Sequence, residues 1–248
     1  MSVPTVRRVG VLTAGGDCPG LNAVIRAVAK SLMLKADIEV IGIEDGFEGL
    51  IQNRMRKLNY EDVSGILQRG GTILGTSNKA DPFAQATVIG DRIVKEDVSA
   101  QTIANIDQWQ LDALVCIGGD GSMSISRKLV EKGVPVVGVP KTIDNDLYGT
   151  DVTFGFDTAV SIATDAIDRI HTTAQSHHRV MLVEIMGRYA GWLTISAGIA
   201  GGADVIILPE MEYDLEYICE RVVARSRYGK RFSIVAVSEG AKPRGGEV

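Results

Sequence analysis

The sequence predicts an α/β protein whose sheets are mostly parallel. Short apolar stretches of strand length alternate with segments whose apolar residues recur at three- and four-residue spacing, as on one face of a helix. Glycine-rich turns repeatedly follow a strand and precede a helix. The composition, with 45% hydrophobic and 23% charged residues in 248, is typical of a globular chain with a substantial core.

The alternation assigns the main elements in order. The predicted strands cover residues 9–13, 39–43, 113–117, 134–139, 180–185, 205–208 and 232–237. A helix with an apolar face from Leu21 to Leu32 follows the first strand, and another is predicted over residues 122–132. A third helix is predicted near residue 157, with Asp157 as its cap. These elements predict two domains, residues 1–153 and residues 154–248.

Charge and cysteine usage exclude several classes of protein. A net charge of −5 argues against broad nucleic-acid binding, which needs a basic face. The cysteines, Cys18, Cys116 and Cys219, are far apart and show no spacing of a disulfide framework or a zinc site. No apolar run approaches the ~20 residues of a membrane helix, and the N-terminus has no signal-peptide core. We therefore expect a cytoplasmic protein that binds neither nucleic acid nor membrane.

Two glycine loops have the geometry of phosphate sites. Residues 118–122 (Gly-Gly-Asp-Gly-Ser) end a strand and open a helix, where glycine lets the backbone approach a phosphate and unpaired N–H groups point toward it. Asp120 in such a turn suits a metal ion that bridges phosphate oxygens. Residues 15–20 repeat this context, although alone they are equally compatible with a tight structural turn. The loops after residues 13, 117 and 139 are expected to face one crevice.

A third loop, residues 140–146 (Pro-Lys-Thr-Ile-Asp-Asn-Asp), adds two carboxylates, Asp144 and Asp146. Carboxylates beside a phosphate cradle repel their ligand unless a cation or a proton transfer requires them, so this loop indicates phosphoryl transfer. Both aspartates are alternatively ordinary turn residues. Lys141 is either a solvated side chain or a group that neutralises phosphate. Arg188 follows another predicted strand and can contact phosphate in a bidentate manner.

Taken together, five segments resemble the bacterial type of 6-phosphofructokinase. They are residues 12–17 (Leu-Thr-Ala-Gly-Gly-Asp), 71–75 (Gly-Thr-Ile-Leu-Gly), 118–122, 140–146 and 186–191 (Met-Gly-Arg-Tyr-Ala-Gly). The match runs in order from about Val9 to Glu239. The resemblance implies two Rossmann-like three-layer domains with the active site in the cleft between them. Residues 1–153 would bind the phosphoryl donor, and residues 154–248 would form part of the sugar-phosphate domain.

The resemblance also implies a reaction and a set of site residues. The reaction is transfer of the γ-phosphoryl group of ATP to the 1-hydroxyl of fructose 6-phosphate, with Mg²⁺, in glycolysis. Asp144 would be the catalytic base, and Asp120 and Asp146 would serve the metal. The donor would be contacted by Gly16, Asn78, Lys79, Gly119, Gly121, Ser122 and Lys141. The sugar phosphate would be contacted by Thr142, Arg179, Met186, Gly187, Arg188 and Glu239. Arg179 would reach a neighbouring subunit's site, which implies a homo-oligomer, a dimer or tetramer.

Three departures from the family pattern qualify this assignment. Where many bacterial members carry an arginine, this chain has Asn78 and Lys79, and lysine cannot copy the guanidinium fork. Gly121 matches ATP users, because a side chain there would fill space needed by the α-phosphate, whereas Lys141 matches pyrophosphate users. The steric argument favours ATP, and pyrophosphate remains the alternative donor. The family also continues beyond Val248, so the chain is expected to be C-terminally incomplete.

Other functions are compatible with parts of the pattern. An NAD or lipid kinase would share the 118–122 loop, but the 140–146 and 186–191 segments argue against it. A regulatory or degenerate subunit is a non-enzymatic alternative, against which Asp120 and Asp144 argue. For allosteric control, Arg26 and Asp204 match effector-site positions, whereas His171 stands where an arginine would be expected; Arg26 is equally compatible with a solvated helix residue.

Overall fold

The computed structural model describes residues 6–89 and 92–246. The strands are β1 Arg8–Thr13, β2 Glu39–Ile43, β3 Met55–Lys57, β4 Gln85–Ile89, β5 Arg92–Glu96, β6 Ala113–Gly118, β7 Val136–Thr142, β8 Phe154–Gly155, β9 Val180–Ile185, β10 Val205–Ile207 and β11 Ser233–Ser238. The helices are α1 Leu21–Ala36, α2 Phe47–Gln52, α3 Ser99–Gln108, α4 Asp120–Glu131, α5 Phe156–His177, α6 Trp192–Ala200 and α7 Leu215–Arg227.

The chain divides into two compact units, Met1–Lys141 and Thr142–Val248. This contact boundary falls before the segment that carries Asp144 and Asp146, whereas the sequence-based boundary falls after it, at residue 153. The first unit therefore ends with Lys141, and both aspartates belong to the second unit.

The first unit contains a parallel sheet in the strand order β3-β2-β1-β6-β7, with β3 antiparallel to β2. Val11 and Leu12, neighbours on β1, are both wholly buried. Successive strand residues point to opposite faces, so both faces of this sheet are covered, as the three-layer prediction requires. β4 and β5 form a separate antiparallel hairpin.

The second unit contains a three-stranded parallel sheet in the order β10-β11-β9. On the central strand β11, Ile234 and Ala236 are fully buried in a core with Ile167 of α5 and Leu193 and Ala197 of α6. The edge strand β9 alternates between more and less exposed positions, and its Leu182 is 72% exposed. Two parallel sheets confirm the predicted α/β class.

Several details differ from the sequence-based elements. Helix α4 begins at Asp120 rather than at residue 122. Asp157 does not cap α5, because Gly155, with a φ of 111°, takes the N-cap position and leaves Asp157 inside the first turn. The short elements between residues 44 and 112 were not predicted. Within the described residues, no helix is long and apolar enough to cross a membrane.

Candidate active site

The carboxyl ends of three neighbouring strands carry the predicted phosphate loops of the first unit. β1 pairs with β6 up to Thr13 and Ile117, and β6 pairs with β7 up to Gly118 and Pro140. Because the three strands are parallel neighbours, the loops that follow them begin at one edge of the sheet. The three loops therefore start at the same sheet edge, and their facing one crevice stays a prediction.

The loop after β1 is held by hydrogen bonds on both sides of Gly15. The Gly15 N–H donates to the carbonyl oxygen of Ser77 over 3.0 Å, and the hydroxyl of Thr76 donates to the Gly15 carbonyl oxygen. Gly15 has a φ of 85°, in the left-handed region that favours glycine. A Cβ at this position would lie 3.4 Å from Nζ of Lys141 and 3.7 Å from Oγ of Ser122. The loop therefore lies beside a buried cation and a hydroxyl.

Lys141 supplies positive charge to this edge of the sheet. Lys141 is 6% exposed, and its ammonium group donates a hydrogen bond to the carbonyl oxygen of Gly16. Burial lowers the pKa of Lys141, and the nearby Cys18, Asp17 and Cys116 partly oppose that shift. A buried ammonium gains most from an anion that replaces its lost hydration. The position thus suits the binding of phosphate.

Two glycines border open space at the same edge. A Cβ added to Gly16 or to Gly121 would meet no atom within 4 Å. Gly121 lies in the first turn of α4, whose N-terminus has no side-chain cap, so its unpaired amide groups are available to an anion. Gly119 is the N-cap and Ser122 is buried. These observations fit a phosphate cradle that side chains would fill.

Asn78 and Lys79 follow Ser77 directly and are both exposed. The Lys79 N–H donates to Oγ of Ser77 over 3.4 Å. The backbone at Ser77 is joined to Gly15, so both predicted donor contacts lie next to the phosphate loop in the chain. Their side chains remain predictions as donor contacts.

In the second unit, Asp144 sits in a loop that is closed by its neighbours. The Asp144 N–H donates to Oγ1 of Thr142 over 3.1 Å. Asn145 has a φ of 53°, and its Oδ1 accepts from the Thr153 N–H over 3.0 Å. The Thr153 hydroxyl donates to the Thr142 carbonyl oxygen over 2.7 Å. The turn is therefore made by Asn145 with both threonines, which leaves the Asp144 carboxylate for other contacts.

The Asp144 carboxylate is poorly satisfied. Its Oδ1 is buried and has no hydrogen-bond partner among the described residues. Burial raises the pKa of Asp144, and the negative charges of Asp146 and Glu239 raise it further. A carboxylate in this state accepts a proton more readily than an exposed one. These properties are compatible with a catalytic base, and that role of Asp144 stays a prediction.

The other predicted sugar-phosphate contacts of this unit gather at the carboxyl edge of its sheet. Met186 follows β9, and Glu239 follows the adjacent parallel strand β11. The Gly187 N–H faces Oε1 of Glu239 at 3.4 Å, and the Gly187 carbonyl oxygen accepts from the hydroxyl of Ser238 over 2.9 Å. Arg188 is exposed and lies over the ring of the neighbouring Tyr189. The structure thus brings together residues 186–188 and Glu239.

Arg179 lies elsewhere in the same unit. It immediately precedes β9, whereas Met186 immediately follows this strand. Six residues of extended chain place the two ends roughly 20 Å apart. Arg179 therefore does not join residues 186–188 within one chain, and its role in a neighbouring subunit's site stays a prediction.

The candidate metal residues, Asp120 and Asp146, are both exposed. Among the residues that the structure describes, no group of three or more histidine, cysteine, aspartate or glutamate side chains could hold a metal ion. Magnesium commonly uses one or two carboxylates, retained waters and substrate phosphates instead of an all-protein cage. An exposed aspartate beside a phosphate loop, such as Asp120, is compatible with that mode, and the metal roles of Asp120 and Asp146 stay predictions.

Sequence reasoning missed the polar residues that hold these loops. Thr13 donates to the Gly75 carbonyl oxygen over 2.7 Å, and the buried Asn22 bonds the backbone near Gly70. Ser238 fixes Gly187 in the second unit. A polar residue at the end of a buried strand or in the first turn of a helix was the available signal, but its distant partners were not visible.

The fold and these two sets of residues define a class, α/β proteins that bind phosphorylated small molecules at the carboxyl edges of parallel sheets. The chain belongs to the phosphofructokinase family, because the family model described as Phosphofructokinase matches residues 8–248. The resemblance found in the sequence is thereby confirmed.

Curated relatives and solved structures are similar along nearly the whole chain. ATP-dependent 6-phosphofructokinase 2 of Clostridium perfringens is 56% identical, over 98% of this chain and 67% of its own length. ATP-dependent 6-phosphofructokinase of Chloroflexus aurantiacus is 54% identical, over 97% of this chain and 67% of its own length. The solved Pichia pastoris phosphofructokinase in the T-state has a TM-score of 0.85 and 32% identity, over 98% of this chain and 27% of its own.

A pyrophosphate-dependent phosphofructokinase from Marinobacter aquaeolei also shares the fold, with a TM-score of 0.79, over 96% of this chain and 62% of its own. At 22% identity, this similarity concerns the fold alone. The chain spans about two thirds of the length of the bacterial ATP-dependent relatives.

Proposed function

We propose that this chain is an ATP-dependent 6-phosphofructokinase, which transfers the γ-phosphoryl group of ATP to the 1-hydroxyl of fructose 6-phosphate in glycolysis. The names of relatives that are 54–56% identical support this activity. The structural observation that carries the proposal is the Asp144 carboxylate, with a buried, unpaired oxygen and a raised pKa. A group of this kind can take the proton of an attacking hydroxyl, a role worth about 10²–10⁴-fold in rate.

The first unit would bind the phosphoryl donor. Gly16 and Gly121 leave space for phosphates, and the amide groups at the start of α4 offer hydrogen bonds to them. Lys141 adds a buried positive charge beside Gly16. The remaining donor contacts in the proposal are Asn78, Lys79, Gly119 and Ser122. Positioning and charge neutralisation are the main contributions that phosphoryl transfer requires of a protein.

The second unit would bind the sugar phosphate. Arg188 can contact its phosphate in a bidentate manner. The other contacts in the proposal are Thr142, Met186, Gly187 and Glu239. Asp120 would hold Mg²⁺, and Asp146 would support the ion and its waters. When bound, Mg²⁺ supplies charge neutralisation to the phosphates.

Pyrophosphate is the second candidate donor, because Lys141 is buried beside the phosphate loop. A compact, highly charged donor gains from such a cation. Gly121 favours ATP, since it borders open space, and an acidic side chain there would add bulk and like charge where the nucleotide's α-phosphate would bind. The absence of a Cβ is a steric condition, whereas an additional cation can serve either donor. We therefore propose ATP as the donor.

The proposal extends to assembly and location. Arg179 precedes β9 at the sheet edge away from residues 186–188, so it would serve the site of a neighbouring subunit in a homodimer or homotetramer. We place the enzyme in the cytoplasm, with the other glycolytic kinases. Effector control is part of the family resemblance and would use Arg26 and Asp204. In the described chain, Asp204 is paired with Arg225 and accepts from the Ile234 N–H.

A comparison of donors tests the function. One preparation is supplied with Mg²⁺, fructose 6-phosphate and either ATP or pyrophosphate, and fructose 1,6-bisphosphate is measured. Turnover with ATP alone, or with a much higher kcat/KM for ATP, is expected. Turnover with pyrophosphate and none with ATP would reverse the donor assignment. Binding of fructose 6-phosphate without turnover with either donor would favour a regulatory subunit.

A further inference from the structure

The segment of residues 69–79 is hydrogen-bonded first to Asn22 on α1, then to Thr13 at the end of β1 and finally to Gly15 of the phosphate loop. We propose that Asn22 is a positioning residue for phosphoryl transfer, because it anchors the start of the 69–79 segment, whose end holds Gly15. This inference rests on the proposed donor site in the first unit. It assigns a role to the 71–75 motif that the reaction chemistry alone leaves unexplained.

Asn22 lies in the first turn of α1 and is 2% exposed. Its Nδ2 donates to the carbonyl oxygens of Arg69 and Gly70, over 3.0 and 3.3 Å. Its Oδ1 accepts from the Ile73 N–H over 2.8 Å. One side chain therefore satisfies three backbone groups in a turn that contains two consecutive glycines. Gly71 has a φ of 66°, in the region that favours glycine, and the conformational freedom of two consecutive glycines must be restrained by such contacts.

Two further attachments continue the connection toward the phosphate loop. The hydroxyl of Thr13 donates to the Gly75 carbonyl oxygen over 2.7 Å and lies 3.0 Å from the hydroxyl of Thr72. The Thr76 hydroxyl and the Ser77 carbonyl oxygen then bind the two polar backbone groups of Gly15. Contacts thus lead from Asn22 through the segment to the residue that lies beside Lys141 and Ser122.

The chemistry at position 22 requires an amide. Aspartate keeps the acceptor for Ile73 but sets a negative charge against two carbonyl oxygens. Alanine leaves all three backbone groups without this partner, and buried polar groups without partners destabilise their local conformation. In either variant the 69–79 segment loses its first attachment and Gly15 is held less firmly. A displacement of about 1 Å at a reactive site can cost roughly 10²-fold in rate.

The first unit offers a matched control in Asn105. This residue, 9% exposed, lies on α3 and donates from Nδ2 to two consecutive carbonyl oxygens, those of Leu50 and Ile51, over 2.8 and 3.1 Å. These carbonyls belong to the end of α2, not to the 69–79 segment. Asn105→Ala therefore removes a comparable buried amide without removing an attachment of the phosphate loop.

The test compares Asn22→Ala, Asn22→Asp and Asn105→Ala in the same chain, with thermal unfolding measured for each. For both Asn22 variants we expect kcat/KM for ATP to fall by about 10-fold to 100-fold, with the KM for fructose 6-phosphate little changed. We expect Asn105→Ala to lose thermal stability while its kcat/KM for ATP stays near that of the parent. Equal kinetic losses in Asn22→Ala and Asn105→Ala would overturn the proposal, because both would then reflect general destabilisation.

A binding measurement separates this inference from the proposed function. Affinity for Mg²⁺-ADP is measured by calorimetry for the parent, Lys79→Ala, Asn22→Ala and the double variant. If Asn22 acts through the segment that carries Lys79, the loss of Mg²⁺-ADP affinity in the double variant should differ from the sum of the losses in the two single variants. Additive losses, or no loss in Asn22→Ala, would overturn the positioning role while leaving the donor site intact. If the parent binds neither Mg²⁺-ADP nor pyrophosphate, the proposed donor site itself fails, and the positioning role fails with it.

Discussion

Lys141 ends the first unit, and Asp144 lies near the start of the second. The two residues differ in whether their buried charged group has a hydrogen-bond partner. Burial lowers the pKa of Lys141 and raises the pKa of Asp144, so it disfavours the charged form of each. The Lys141 ammonium has a hydrogen-bond partner in the Gly16 carbonyl oxygen. The buried Oδ1 of Asp144 has none among the described residues.

This difference is consistent with two different functions, ligand binding and proton transfer. A buried cation that is bonded to a loop helps to hold that loop and presents a fixed charge to a ligand. A buried carboxylate with an unpaired oxygen is costly to keep ionised, and it gains by accepting a proton. Under the proposed function, the Lys141 region would bind the donor and the Asp144 region would carry out the proton transfer. Four measurements test that division.

The largest effect is expected for Asp144→Asn. The amide cannot accept the hydroxyl proton, so kcat should fall by roughly 10²-fold or more, while sugar-phosphate affinity stays nearly intact. Because its pKa is raised, ionised Asp144 destabilises the folded state above that pKa, and this cost is relieved as the pH falls through it. The variant should therefore unfold at a higher temperature than the parent at pH 8. An unchanged kcat would remove Asp144 from the base role.

The next effect concerns Lys141→Met, which keeps most of the side-chain volume and removes the charge. Loss of a charge-assisted contact to phosphate should weaken donor affinity by about 10-fold to 100-fold. The variant should fold at least as stably, since the burial of an ammonium group is avoided. Lys132→Met, at an exposed position, is the control. A donor affinity equal to that of the parent would show that Lys141 holds Gly16 without serving the ligand.

A smaller and more selective effect is expected for Gly121→Asp. A Cβ at this position meets no atom within 4 Å, so the variant should fold normally. Its bulk and charge should lower kcat/KM for ATP by about tenfold, and that for pyrophosphate much less. Gly121→Ala adds little bulk and no charge, so its kcat/KM for ATP should lie between those of the parent and Gly121→Asp. Equal losses with both donors would contradict the steric argument for ATP.

The smallest effect is expected for Glu239→Gln, read from the pH dependence of kcat/KM. Asp144 is active when ionised, so the rate should fall as the pH drops through its pKa. The Glu239 charge helps to raise that pKa, and its removal should move the acid limb to lower pH. The shift should stay below about one pH unit, because burial is the larger cause. Glu220→Gln, on the exposed surface of α7, is the control and should not shift the acid limb of the kcat/KM profile. A shift to higher pH would contradict the assignment.

Much of the fold was predictable because its signals are local. The bounds of β2 and β9 agree with the predicted residues 39–43 and 180–185, since each is an apolar run between polar turns. The missed elements include β3, with three residues, and α2, with six, which are too short to show a periodic pattern. Asp157 was wrongly predicted as a cap because Gly155, in a left-handed conformation, begins α5 earlier.

The candidate site likewise combines features that local sequence predicts and features that it does not. The loop types, the family and the residues capable of the chemistry could be read from the amino-acid sequence, because the intrinsic properties of glycine, aspartate and lysine do not depend on distant residues. Which groups are buried and which are hydrogen-bonded follows from the packing of the folded chain. It joined Asn22 to a turn about fifty residues away and left an oxygen of Asp144 unpaired. Hydrogen-bond partners and desolvation depend on atoms that are distant in the chain, so no local pattern contains them.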